Sequence, residues 1–179
     1  MAGRRGTRRD KTMSMGYGEG SSVPAYGLTV LRAAVGTVFL AHGGQKLFGL
    51  WGGGGLSGTA AYFAGLGLEP AWPMAVAAGS IEFIGGILLV LGAFTVLASA
   101  VVALEMLVAI WMADLGRAFF INWAQTPGVA HGYEFNLTLI AALICLALAG
   151  PGALSLDARR ASHAAAEAAG RARLRAGHV

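Results

Sequence analysis

The sequence predicts an all-α integral membrane protein: a bundle of four transmembrane helices, both termini in the cytoplasm, with a short interfacial helix in the first external loop. Three observations carry this. Hydrophobic residues make up 56% of the 179-residue chain and charged residues only 12%, against roughly 25% in an ordinary soluble domain. The 28 glycines follow no collagen-like triplet period, and inside long apolar runs glycine serves the close approach of helices. Ten of the 13 Lys and Arg residues sit in two tails, while the region between them holds Arg32, Lys46 and Arg117 against Glu69, Glu82, Glu105, Asp114 and Glu134, a net charge of minus two. The pI of 9.7 therefore describes the tails. Basic segments that adjoin apolar spans and lack interleaved aromatics fit the positive-inside rule and not nucleic-acid binding.

Residues 1–25 read as a basic, polar cytoplasmic tail, too long and polar for a signal peptide, so the first span is expected to stay as an uncleaved anchor. That span runs from Tyr26 to Phe48. At about 100° per residue it sets Arg32, Gly36, Phe39, Gly43 and Lys46 on one stripe, which is expected to face other helices. The loop Gly49 to Ala71 opens with Gly52-Gly53-Gly54-Gly55, and Ser57 after it could cap a short interfacial helix. A second span covers Trp72 to Leu91, with Ala78, Gly79, Glu82, Gly85 and Gly86 on one face. The minimal link Gly92-Ala93 demands an antiparallel hairpin with the third span, Phe94 to Leu115. An aromatic-rich loop holding Phe119, Phe120 and Trp123 leads to the fourth span, Tyr133 to Ala149, which Gly150-Pro151-Gly152 terminates. Residues 157–179 form a basic, alanine-rich cytoplasmic tail, which could lie as a helix along the inner surface but whose mostly alanine face binds lipid weakly; it is read as a solvated, partly disordered anchor.

An ionisable side chain within a span is costly unless it pairs or faces the bundle interior, so each is a functional candidate. Glu82 follows Trp72 by about ten residues, and Glu105 follows Phe94 by about eleven, so both lie near the midplane. If their faces meet, two carboxylates there cannot both ionise cheaply, so one is expected to be protonated or to be neutralised by Arg32 or Lys46. Arg32 is assigned to structural ion pairing. Lys46 has a plain alternative, snorkelling to the outer headgroups. Glu134 opens the fourth span, where a helix N-terminus favours an anion, and a cap alone would account for it. With His42 and Lys46 it also makes a polar funnel above Glu82. Glu82, Glu134 and His42 are the candidates for proton transfer, and Lys46, Glu105 and Gly43 for ligand binding. A static ion-pair network that fixes helix register remains the bland alternative. Asp114 and Arg117 read as a local surface pair.

Familiar cofactor motifs are absent. Haem would want two facing ligands, for which only His42 and the loop residue His131 offer themselves; zinc ligands are too few; and no phosphate loop, zinc-protease or nucleophile-elbow pattern occurs. The single cysteine, Cys145, leaves no disulfide or thiol relay within the chain.

Taken in order, LRAAVGTVFLAHGGQKLFG, GLSGTAAYFAGLGLEP, GSIEFIGGILLVLG, GYEFNLTLI and GPGALSLD resemble the DoxX family of small four-span bacterial membrane proteins. The resemblance runs from about Leu31 to Asp157 and matches the family pattern at Arg32, His42-Gly43, Lys46, Glu82 with Gly85-Gly86, Met106, Glu134 and Asp157. Glu105 departs from it, the position before the methionine being usually apolar in the family. The resemblance implies a multi-pass protein of the bacterial cytoplasmic membrane. It further implies a membrane subunit of a quinone-linked oxidoreductase or redox-defence complex, with a bound quinone and a redox partner subunit. No residue of this chain carries electrons by itself, so that role requires a partner or cofactor. Two other readings stay open: a structural or assembly subunit without chemistry, and a small-molecule transporter using the same funnel. The lipid bilayer is the one certain partner, and a homo-oligomer is compatible with the sequence.

Overall fold

The computed structural model describes residues 22–114, 118–129 and 131–176. Among them every regular element is helical. The N-terminal basic tail, the end of the third span at Leu115 and the Asp114–Arg117 pair lie outside what it describes.

Helix α1 spans Val23–Phe48, three residues longer at its start than expected, because Pro24 in the first turn lacks only an N–H that has no intrahelical partner anyway. It ends at Gly49, whose left-handed φ of 70° lets the backbone N–H return to Gln45 O. A 3₁₀ turn at Leu50–Gly52 leads into α2, Gly55–Gly65, the helix expected in the first loop. No side chain caps α2, so Ser57 does not serve that role. Helix α3, Ala71–Leu91, and α4, Thr95–Ala109, form the expected hairpin, and α4 continues as a π-helical turn through Ile110–Asp114. Helix α5 covers Glu134–Ala149 and α6 covers Leu156–Ala176. The tail is thus a continuous helix through Ala176, consistent with its alanine content.

Among the described residues three helices are long and apolar enough to cross a membrane: Val23–Phe48, Ala71–Leu91 and α4 with its extension to Ala113. Helix α5 is apolar but has only 16 residues, a rise of about 24 Å against a hydrocarbon core of about 30 Å. Their outward faces are apolar, with Val30, Ile84, Leu97, Leu104 and Leu107 each more than half exposed or close to it, as lipid-facing surfaces require.

Helix α1 packs on α3, α3 on α4, α4 on α5, and α5 closes against α1. The core between them is built from Val35, Phe39, Leu89, Val102, Met106, Leu139, Leu143 and Leu146. The α1–α3 contact is set by glycine. A Cβ on Gly36 would lie 2.8 Å from Val90 N, and one on Gly43 or Gly86 would overlap the backbone of Phe83 or Leu40. Gly79 faces Lys46 and Leu47 in the same way, which fixes an antiparallel register along the whole pair. The stripe predicted on α1 is therefore the buried one: Arg32, Gly36, Phe39 and Gly43 are all buried against other helices.

Candidate functional site

Lys46 lies in the last turn of α1, level with Gly79. Because a helical side chain leans back toward the N-terminus of its own helix, Lys46 points into the bundle and not out to the headgroups. Its Nζ donates to both Oε1 and Oε2 of Glu82 at 2.5 Å, and Glu82 is only 1% exposed. Lys46, not Arg32, is thus the partner of the buried carboxylate. In place of snorkelling, Lys46 pairs with a buried carboxylate while its own side chain stays 29% exposed.

The pair lines a cavity of roughly 550 Å³. Helix α1 contributes Phe39, His42 and Lys46; α3 contributes Met74, Ala78, Ile81 and Glu82; α4 contributes Leu104, Glu105 and Met106; α5 contributes Phe135 and Asn136. Helix α2 covers it with Tyr62 and Phe63, and is held to α1 by the Thr59 hydroxyl, which donates to Lys46 O at 3.1 Å. Most of the lining is apolar, and its ionisable groups are His42, Lys46, Glu82 and Glu105. Glu105 lies close enough to Glu82 and Lys46 to interact with both electrostatically, and its Oε2 is buried without a hydrogen-bond partner. The two glutamates expected at similar depth do share one site.

The structure does not bring the other candidates to that cavity. Glu134 instead holds the loop before it: its Oε1 accepts from Ile121 N at 2.9 Å, and its own N donates to Phe119 O at 3.0 Å. One carboxylate oxygen is taken up by a backbone donor of the loop and Glu134 does not line the cavity, so the predicted funnel loses its third member. Gly43 is a packing glycine beneath Phe83, next to His42 but not part of the cavity wall. Among the described residues no group of three or more His, Cys, Asp or Glu side chains could hold a metal ion.

Arg32 lies about 21 Å from Lys46 along α1. It is 1% exposed and meets carbonyl oxygens instead of a carboxylate. Its Nε donates to Pro151 O at 3.0 Å, one terminal nitrogen to Leu89 O and to Val90 O at 2.9 Å, and the other to Leu154 O at 3.2 Å. These carbonyls lie at the end of α3 and in the turn after α5, where the helix ladder has stopped supplying donors; Leu89 O also accepts from Gly92 N. The expected ion pair is thus a guanidinium cage for helix ends. The same turn ties back twice more: Ala153 N donates to Ala25 O at 2.9 Å, and the Thr29 hydroxyl donates to Ala153 O at 3.1 Å. Asp157 completes the knot by accepting from Phe94 N at 2.9 Å and Thr95 N at 2.8 Å, which caps α4 from a residue far along the chain. Partial burial pushes the Asp157 carboxyl up, but the hydrogen bonds from Thr95 and Phe94 outweigh it and hold the group below the usual carboxylate range. Arg160 stacks over the Phe94 ring at 5.2 Å.

The family model for DoxX matches residues 27–115, which include α1, the covering helix α2, α3, and the α4 wall of the cavity. A Bacillus subtilis protein named "Putative oxidoreductase CatD" is 33% identical over 131 residues, 73% of this chain and 84% of its own length. The chain belongs to the DoxX family. The Escherichia coli inner membrane protein YphA is 31% identical over 137 residues, 74% of this chain and 89% of its own. An uncharacterized membrane protein of Mycobacterium tuberculosis is 33% identical over 142 residues, 76% of this chain and 82% of its own. No solved structure matches. With apolar helices of spanning length and relatives in bacterial membranes, this DoxX protein is a bacterial membrane protein. The lining residues Tyr62 and Asn136 were not among the sequence candidates, and Asp157 entered only as a match to the family pattern, with no role assigned. Asn136 is a polar residue inside an apolar run, a signal of the same kind as Glu82. Asp157 carried no local signal, because its partners are contributed by the start of α4.

Proposed function

We propose that this DoxX protein is the membrane subunit of a quinone-linked oxidoreductase or redox-defence complex, with the Lys46–Glu82–Glu105–His42 cavity as its ligand site. The observation that carries the reading is a buried ion pair set in the wall of an apolar cavity of roughly 550 Å³, within the usual range for ligand sites. The lining fits a quinone: aromatic and aliphatic side chains suit a ring and an isoprenoid chain, and Lys46, His42 and Glu105 supply polar partners for a head group. When bound, a quinone supplies the two-electron, two-proton exchange that no side chain here provides. Lys46 orients and donates a hydrogen bond, Glu82 holds Lys46 in place, and His42 and Glu105 are the groups able to pass protons at the cavity wall. Electrons come from a partner subunit. The name of the CatD relative points the same way.

In this reading α5 is a fourth span, with flanking residues making up its short length, and the basic α6 lies with the N-terminus on the cytoplasmic side. Cysteine-labelling from either side of the membrane tests that topology. Helix α2 then lies at the outer interface above the cavity.

Mass spectrometry of the protein gently purified from native membranes tests the functional reading. Stoichiometric quinone with a redox-active partner is expected, and the absence of both contradicts it. A second reading, a structural or assembly subunit, is favoured by one feature: Lys46 engages both carboxylate oxygens of Glu82, as a static register-setting pair would. That reading predicts variants that change stability and nothing else.

A further inference from the structure

The residues that line the cavity and are also exposed on the outside of the bundle fall into two groups. His42, Tyr62 and Phe135 make one, and two of them carry polar atoms. Ala77 of α3 with Val101, Leu104 and Val108 of α4 make the other, and it has no polar side chain at all. Leu104 is the most open of these, at 63%. Helix geometry accounts for the second group. Within their hairpin α3 and α4 touch at Gly85, where a Cβ would lie 2.5 Å from Val102 Cγ2. Farther from the Gly92 turn the cavity stands between the two helices, with Ala77 and Ala78 on one wall and Leu104, Glu105 and Val108 on the other. At about 100° per residue, Val101, Glu105 and Val108 share one flank of α4, and Leu104 stands at its outward margin. The cavity wall therefore runs without a break into the outward, lipid-type face of α4. The alanines opposite are too short to close the cleft, and the covering helix α2 packs on α1 and α3.

We infer that this cleft between α3 and α4 is a lateral entrance from the hydrocarbon of the bilayer and the seat of the ligand's tail: the ligand is a lipophile with one flexible hydrocarbon chain, its head against Lys46 and its chain passing out between Ala77 and Leu104. The inference rests on the reading of the cavity as a quinone-type site and adds to it a route and a tail. The reason is continuity of environment. A chain leaving by this cleft stays among apolar groups from the cavity to the lipid, whereas a chain leaving past His42 would cross polar surface. The head, the only part that needs polar partners, is drawn to the one end of the path that holds the Lys46–Glu82 pair.

The test compares two quinones with the same ring, one bearing a decyl chain and one bearing only methyl groups. Each is titrated against the full chain in lipid nanodiscs, with its concentration expressed per lipid so that partitioning cancels. Ala77→Trp and Leu104→Trp set an indole across the cleft at positions that are exposed and so disturb no core packing. Each is expected to weaken the decyl quinone about tenfold or more and to leave the methyl quinone within about threefold of the parent. The parent gives a second reading that needs no variant: a decyl quinone with a diazirine near the middle of its chain is expected to label Ala77, Ala78, Leu104 or Val108, in competition with the unlabelled compound. Equal effects of the tryptophans on the two probes, a parent that binds only the methyl quinone, or competed labels on Tyr62 or Phe135 would overturn the inference and leave the cavity standing as a quinone site. A parent that binds neither probe overturns both.

Discussion

Removal of one partner from the Lys46–Glu82 pair should be far more harmful to the fold than removal of both. Glu82 is 1% exposed and takes both of its short contacts, at 2.5 Å, from the same ammonium group. In Lys46→Met the buried carboxylate loses its ammonium partner in a cavity lined by Phe39, Ile81 and Met106. Breaking a buried pair in this way costs about 3–5 kcal/mol, whereas replacing both charges with neutral groups of similar volume costs little. The double variant Lys46→Met, Glu82→Gln should therefore lie within about 1 kcal/mol of the parent, several kcal/mol above Lys46→Met alone. Equilibrium unfolding in mixed micelles, followed by helical circular dichroism, reads the three stabilities. The same samples are then titrated with a short-chain quinone and hydroquinone. A purely structural pair predicts that the double variant recovers binding with stability; a ligand-orienting Lys46 predicts a stable protein that binds at least about tenfold more weakly. Equal destabilisation of the single and double variants would refute the assignment of the buried charge to this pair.

Three further outcomes follow from the packing. Arg32→Lys retains the charge but not the planar fork that reaches Pro151, Leu154, Leu89 and Val90 from three nitrogens, so the variant should lose about 2 kcal/mol or more and accumulate poorly in membranes, read by quantitative immunoblot against the parent. Gly43→Ala places a methyl into the Phe83 backbone, where no flexible side chain can give way, and should cost about 1–3 kcal/mol with separation of α1 from α3, measured as reduced cross-linking between cysteines placed on the two helices. Asp157→Ala removes the cap from α4 and should cost about 0.5–2 kcal/mol at neutral pH. Because the folded state holds the Asp157 carboxyl below its ordinary value of 3.8, this contribution is complete above about pH 4 and fades as the pH falls through the folded value, so parent and variant should converge in acid unfolding curves.

Much of the fold was legible because hydropathy and glycine spacing are local signals. The α1 stripe from Arg32 to Lys46 and the Glu82 face with Gly85 and Gly86 both emerged as buried surfaces, since the 3.6-residue period that groups them in sequence also groups them in space. Glu82 and Glu105 were placed at one depth by counting residues from the ends of their spans. What spacing could not supply was the choice between two cations for one carboxylate. That choice rests on the antiparallel register of α1 against α3, which brings Lys46 level with Gly79 and sends Arg32 to the opposite end. Arg32 is served there by carbonyls of helix ends, an arrangement that needs the turn after α5 and the end of α3 in contact. Glu134 looked like a funnel residue because it heads a helix in the same run as the cavity wall, but the loop Phe119 to Ile121 folds back to claim it. The two residues that follow it reach the cavity instead.

On the proposed function, the space between His42, Lys46, Glu82 and Glu105 receives a lipophilic redox-active ligand. Photolabelling with a short-chain azidoquinone in native membranes, followed by peptide mass spectrometry, addresses it directly. Labels are expected on the α1 segment from Phe39 to Lys46 and on the α4 segment from Val101 to Met112, competed away by unlabelled quinone and lost in Glu82→Gln. Labelling confined to the outward faces of α3 and α4, at residues such as Ile84 and Leu97, or labelling that competitor does not reduce, would contradict the claim.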